Sequence, residues 1–432
     1  MLSDRIQQRN IWLWALYDAA NSLAFAGLSV FFGVWFISEY GASDGWMSLS
    51  MVMTTVILLL TLPVLGRYSD RIGRRLPFLI IATLIGGSSL IILGIVASYA
   101  TTRSIGTTLL IFLLYSVFML CYMGSLAFYD GLMRGLSAGR TLEGLSSLGM
   151  AVGQIGWIVG LLLAYPVANG TIGFFGLHGK PGAFALGGTA FLICSLPTLL
   201  FFREERVSET TMSMALSVKE SIRDIKELRH MSGPLPFLIA YALFADAILT
   251  LELFAVVYMN ITGGLPENLQ TGAFLAAIVA GVIGSALAPL FARIFRSTHR
   301  TIVVFLGAWM LTLVTLAMAA STLTFICCLI IGVFSAGVLF ALCRSFFAAL
   351  VPEDRQAEMF GLYAVFEKTA SMIGPTLWSL MAFIFISFGP DKYRFSVLSL
   401  AFLIGISLFL LKYVPDIRKQ HGLSDRVKST AP

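Results

Sequence analysis

Apolar residues in this chain come in long uninterrupted stretches separated by short polar segments, the pattern of buried or lipid-facing helices rather than of amphipathic ones. A helix needs about 20 such residues to cross a hydrocarbon core. Twelve spans are predicted, at 11–39, 46–68, 76–99, 107–131, 143–168, 182–203, 233–260, 270–295, 299–321, 323–350, 357–387 and 393–414. Loops between them are short, with one exception. Residues 203–233 are polar and charged, and are expected to form an amphipathic or solvated helix along the membrane between two six-span halves. The domains read as a half at 1–203, a cytoplasmic linker at 204–232, a second half at 233–414 and a cytoplasmic tail at 415–432.

Composition supports an all-α, multi-pass membrane protein. Of 432 residues, 58% are apolar and 12% charged, against roughly 45–50% and 25% in soluble domains. A soluble enzyme, a nucleic-acid binder and a secreted disulfide scaffold are excluded. The five cysteines (Cys121, Cys194, Cys327, Cys328 and Cys343) fall inside apolar runs and read as packing residues. No cofactor or metal is expected. The first stretch is too long for a signal peptide and carries Asp18 and Asn21. With the amino terminus inside, cytoplasmic segments hold 24 of the 29 Lys and Arg, so both termini are predicted to be cytoplasmic. Arg103, Lys180, Lys392 and Arg394 fall outside, and Lys368 lies within a span. The net charge of +6 thus reflects topology and anionic lipid, not nucleic acid.

The chain repeats itself. Gly66-Arg-Tyr-Ser-Asp70-Arg71-Ile72-Gly73-Arg74-Arg75 follows the second span, and Ala288-Pro-Leu-Phe-Ala292-Arg293-Ile294-Phe295-Arg296 follows the eighth, at an offset of 222. Parallel six-helix repeats with a site between them are the architecture of the major facilitator superfamily, which this chain resembles. The first copy matches that superfamily's Gly-x-x-x-Asp-Arg-x-Gly-Arg-Arg signature throughout. Gly66 would permit close helix approach, and Gly73 a tight turn. Arg74 and Arg75 can reach lipid headgroups or acidic helix ends, with Asp130 and Arg134 as expected partners. The resemblance implies that Asp70 meets the start of the eleventh span near Ala357 and, with Arg71, latches the cytoplasmic side.

Charges inside spans demand explanation, since each costs on the order of 2.5–3.5 kcal/mol. The first span carries Tyr17, Asp18 and Asn21, the last two sharing a face. The seventh carries Asp246 and Glu252, about 240° apart around the helix. The eleventh carries Glu367 and Lys368. Four carboxylates against one lysine leave three uncompensated charges, an imbalance that exchangeable protons can neutralise. Proton coupling through Asp18 or Asp246 is the expectation, and a fixed ion pair closing one state is the alternative for Lys368. Gln154 sits among Gly149, Gly153, Gly156 and Gly160, a face suited to close packing, and reads as interhelical glue. Arg344 lies toward the cytoplasmic end of the tenth span and can snorkel there.

Two stretches are more specific. Tyr17-Asp18-Ala19-Ala20-Asn21-Ser22 resembles the Tyr-Asp-Trp-Ala-Asn-Ser opening of the vacuolar amino-acid effluxer branch of the superfamily and its prokaryotic relatives. Arg344 to Pro352, then Ala357-Glu358, Gly361, Tyr363, Lys368 and Gly374-Pro375, is similar to the same branch. Ala19, Asp130 and Glu367 stand where that branch has Trp, Asn and Gly. The resemblance implies efflux of amino acids or similar zwitterions, with Lys368 meeting a carboxylate and Asp18 or Asp246 an ammonium group.

The reading is therefore a secondary transporter of a small polar solute, an amino acid or short peptide, working by alternating access as a monomer. Lipids, sugars and drug-like cations are the alternative substrates, and a non-transporting receptor the alternative class. An enzyme is disfavoured, because the four histidines lie in loops or at helix ends. Short loops suggest a prokaryotic cytoplasmic membrane.

Overall fold

The computed structural model describes residues 4–100, 102–133, 136, 142–204, 233–351, 363, 366 and 372–416. They form twelve α-helices: α1 (Asp4–Gly33), α2 (Asp44–Ile72), α3 (Leu76–Tyr99), α4 (Ile105–Met133), α5 (Leu142–Ala168), α6 (Gly179–Phe201), α7 (Pro234–Ile261), α8 (Glu267–Ile294), α9 (Thr298–Ala317), α10 (Thr322–Leu350), α11 (Ile373–Ile384) and α12 (Lys392–Leu411). Eleven helical segments are long and apolar enough to cross a membrane, and α11, with 12 residues, is shorter. Large apolar side chains also cover the outside, Leu60 at 68% and Phe402 at 67% exposure among them. Such a surface suits hydrocarbon, where no water helps to satisfy polar groups. Serine and threonine accordingly turn inward on their own helices. Thr83, Ser89, Thr189, Thr312 and Ser335 each donate to the carbonyl one turn back.

The chain divides into two compact units, Met1–Met214 and Ala215–Pro432. Each has the same internal plan. In the first, α1 packs on α5 and α6, α3 on α4 and α6, and α2 on α4. In the second, α7 packs on α11 and α12, α9 on α10 and α12, and α8 on α10. The repeat seen in the sequence is thus a repeat of packing. Its two copies end their helices at equivalent residues, Ile72 and Ile294. The chain then passes through the left-handed region, at Gly73 (φ 65°) in one copy and Arg296 (φ 54°) in the other.

Several predicted boundaries move. The first helix starts at Asp4 rather than residue 11, because Arg5 to Asn10 continue the helix as a polar extension that hydropathy does not register. It ends in a π-helical turn, Val34–Glu39, whose Glu39 accepts from the buried Lys180 of α6 at 2.6 Å. The span expected at 357–387 is replaced, over its described part, by the shorter α11 and a 3-10 turn at Ile386–Asp391. Gly389 (φ 60°) and Pro390 in that turn cannot continue an α-helix. Residues 205–232, which include most of the expected linker helix, and the tail at 417–432 lie outside the described residues.

Candidate functional site

In the first unit, α1 presents Trp14, Tyr17, Asp18, Asn21 and Ser22 to α3, α4 and α5. The position of α1 is set by a seam of glycines on α5. A Cβ at Gly156 would fall on the backbone of Ala19, and one at Gly160 would lie 2.5 Å from the Leu23 carbonyl. Close packing expected of this glycine face is therefore present. Gln154 does not take part in it, because its side chain is exposed on the opposite side of α5. Tyr17 is fully buried and pairs with Thr83 at 2.8 Å. Since Thr83 donates to Leu79, the tyrosine is the donor in that pair.

The ring of Tyr129 stacks on Trp14 at 4.6 Å and on Tyr17 at 5.7 Å. Among the described residues its hydroxyl has no hydrogen-bond partner, and neither has Oδ1 of Asn21, although the residues are only 4% and 1% exposed. A buried polar atom left unpaired costs about 1–3 kcal/mol. Asp18, half-buried beside them, makes no hydrogen bond or ion pair among the described residues, and it is close enough to Tyr129 and Asp130 to interact electrostatically. A carboxylate, an amide oxygen and a phenol form an oxygen-rich donor set. Such a set suits a cationic N–H donor or a proton, not an anion.

The second unit uses its aspartate differently. Asp246 is 1% exposed, and one of its carboxylate oxygens accepts from the amides of Ile373 and Gly374, the first two of α11, at 2.9 and 2.7 Å. Thr250, one turn along α7, donates to the other oxygen at 3.4 Å. The two candidate aspartates thus sit in different surroundings, because free helix-start amides engage Asp246. Glu252 is exposed on the surface of its own unit, and so is Arg344 on α10. Glu367 and Lys368 lie outside the described residues, as does Arg134.

Around the loop between α2 and α3, the backbones of Gly66, Asp70, Arg71, Gly73, Arg74 and Arg75 are described, but the side chains of Asp70 and Arg71 lie outside the description. Gly73 makes the expected turn. The close approach expected at Gly66 is absent: nothing among the described residues lies within 4 Å of where its Cβ would be. It occurs instead at Gly131, where Arg75 lies against the α4 backbone and donates to the Gly131 carbonyl at 2.5 Å. The neighbouring Asp130 is exposed, and Arg74 is exposed as well. Glu204 caps α3 by accepting from the amides of Arg75 and Leu76 at 2.5 and 2.9 Å. Hydropathy gave no signal for Glu204, which read as one charge among many in the linker. Tyr129 and Trp14 were missed because aromatic residues are abundant in any membrane protein. A cavity of about 420 Å³ between α9 and α12, lined by Met310, Ala401, Phe402, Gly405, Ile406 and Phe409, has only apolar side chains and offers nothing to a polar solute.

Comparison with known proteins bears on the family and the fold. The family described as "Vacuole effluxer Atg22 like" matches residues 138–422, more than half of the chain. The MFS-type transporter YxiO of Bacillus subtilis strain 168 is 24% identical over 416 residues, covering 93% of this chain and 94% of its own length. Autophagy-related protein 22-1 of Aspergillus fumigatus is 28% identical over 302 residues, which are 62% of this chain and 47% of that protein. The chain thus spans about half the length of that fungal relative. Among solved structures, the nucleoside transporter NupG superposes with a TM-score of 0.72 at 13% identity, covering 94% of this chain and 98% of that one. A bacterial homologue of the iron transporter ferroportin in its inward-facing state gives 0.69 at 16%, covering 95% and 98%. These structures are similar in fold alone. The relatives are transporters rather than enzymes, and this chain belongs to the Atg22-like effluxer family of MFS-type membrane transporters.

Proposed function

We propose that the protein is a proton-coupled secondary transporter that exports an amino acid or short peptide by alternating access. The observation that carries this reading is the Asp18 carboxylate, half-buried and without a hydrogen bond among the described residues, near Tyr129 and one turn before Asn21, whose side-chain oxygens are likewise unpaired among the described residues. That donor set fits the ammonium end of a zwitterion when substrate is bound and a proton when it is not. Lys368 is assigned to the substrate carboxylate and the Gly73–Arg75 loop to the cytoplasmic gate. Twelve spans, cytoplasmic termini, a monomer and a prokaryotic cytoplasmic membrane complete the proposal. The positive-inside count and the length match to YxiO support it.

The test is efflux from proteoliposomes loaded with radiolabelled amino acids and dipeptides, with and without an imposed pH gradient. Flux should follow the gradient in the wild type. Asp18→Asn should abolish the response to the gradient but retain exchange of labelled for unlabelled substrate. Flux of sugars or lipids but not of amino acids or dipeptides would overturn the substrate assignment. Flux indifferent to the gradient in both proteins would overturn the coupling.

A further inference from the structure

The two units carry one device in two forms. In α1, Asp18 and Ser22 lie one turn apart against Gly153 of α5, where a Cβ would sit 2.8 Å from the Asp18 carboxylate and 3.3 Å from the Ser22 hydroxyl. In α7, Asp246 and Thr250 lie one turn apart against Gly374 of α11, where a Cβ would collide with the Thr250 hydroxyl and sit 2.9 Å from the Asp246 carboxylate. Helices α1 and α5 correspond to α7 and α11 in the packing repeat. The difference lies in the backbone each aspartate faces. Gly153 is inside the continuous α5, whose amides are already bonded to carbonyls one turn back. Gly374 is the second residue of α11, and its amide has no intrahelical partner.

We propose that Asp246 is a positioning residue whose carboxylate clamps the start of α11 onto α7. Three observations converge on it. Both α11 amides point at one carboxylate oxygen, at 2.9 and 2.7 Å. Asp246 is 1% exposed, so water does not compete for those amides. The backbones of the two helices approach so closely at Gly374 that no side chain fits between them, and the ring of Phe254 stacks on Trp378 one turn further along each helix, at 4.8 Å. A negative charge at a helix start is further favoured by the helix dipole.

The proposal is tested by hydrogen–deuterium exchange on the purified full-length protein, comparing a peptide covering 370–380 with one from α10. Asp246→Ala should raise exchange at the α11 start by about tenfold or more, the effect of losing charge-assisted bonds, and leave the α10 peptide unchanged. Asp246→Asn should restore protection to within about threefold of wild type, because its amide oxygen can accept from both backbone N–H groups while its NH2 donates to Thr250. Protection in Asp246→Ala equal to wild type, or lost equally in Asp246→Asn, would overturn the proposal. Should Asp246→Ala fail to accumulate, Gly374→Ala decides. Its added methyl should expose the same amides, and a Thr250→Ala change in the same chain should recover part of the protection. Equal exposure in the single and double variants would count against the clamp.

Discussion

Two glycines on α5, three residues apart, separate the stability of the first unit from its chemistry. A methyl group at Gly156 would fall on the main chain of Ala19, 2.5 Å from its Cα and 2.7 Å from its carbonyl carbon. Neither helix backbone can yield without moving α1 and α5 apart along the whole glycine seam. Overpacking of this kind costs about 1–3 kcal/mol, and the better helix propensity of alanine returns about 1 kcal/mol. The net loss for Gly156→Ala is about 0–2 kcal/mol. A methyl at Gly153 meets only the ends of side chains, 2.8 Å from an Asp18 oxygen, 3.0 Å from its carboxyl carbon and 3.3 Å from the Ser22 hydroxyl. Rotating that carboxylate off its rotamer costs about 0.5–1.5 kcal/mol, which the same propensity gain offsets. Gly153→Ala should therefore unfold at the wild-type temperature and yet transport poorly, because it displaces Asp18. Gly156→Ala should unfold a few degrees lower. Thermal unfolding of the two variants in one detergent, followed by the proteoliposome assay, makes the comparison. If Gly153→Ala is the less stable of the two, or transports normally, the placement of Asp18 against α5 is wrong.

Other consequences follow from single contacts. Tyr129→Phe removes a buried hydroxyl without a partner, and should raise stability by about 1 kcal/mol while weakening substrate binding, read as a higher unfolding temperature and a higher KM. Glu204→Ala leaves two α3 amides without their cap, and should lower stability by about 1–3 kcal/mol, with increased exchange confined to the start of α3. Glu204→Gln, which keeps an acceptor, should lose less. Glu39→Gln weakens the 2.6 Å pair with Lys180. Because Glu39 is 48% exposed there, the loss should be under about 1 kcal/mol and should shrink with added salt.

The hydropathy pattern was enough to find the helices and their repeat, because a bilayer imposes one length and one composition on every crossing. It could not place helix ends. Asp4 to Asn10 are helical although polar, and α11 starts at a residue chosen by a side chain 127 positions away. Asp18 and Asn21 stood out as candidates, since polarity in a span is rare. Asp246 was equally visible, but its contacts with the α11 amides were not, because a sequence shows that a carboxylate is buried and not what it faces. Tyr129 and Glu204 were invisible for the opposite reason: each belongs to a residue class that is abundant in its segment, and only geometry distinguishes them.

The engagement of Asp246 also bears on thermodynamics. A carboxylate that holds two backbone amides does not exchange a proton without releasing the helix it holds, so the proposed proton-coupled cycle, if it runs on Asp18 alone, would move one proton per turnover. One elementary charge crossing 100 mV is worth about 2.3 kcal/mol, and tenfold in concentration is worth about 1.4 kcal/mol. A single-proton exporter driven by such a force can hold a solute gradient of roughly fifty-fold and no steeper, whereas two working aspartates would square that ratio. Under the proposed coupling, the steepest gradient the protein sustains would therefore count its working carboxylates.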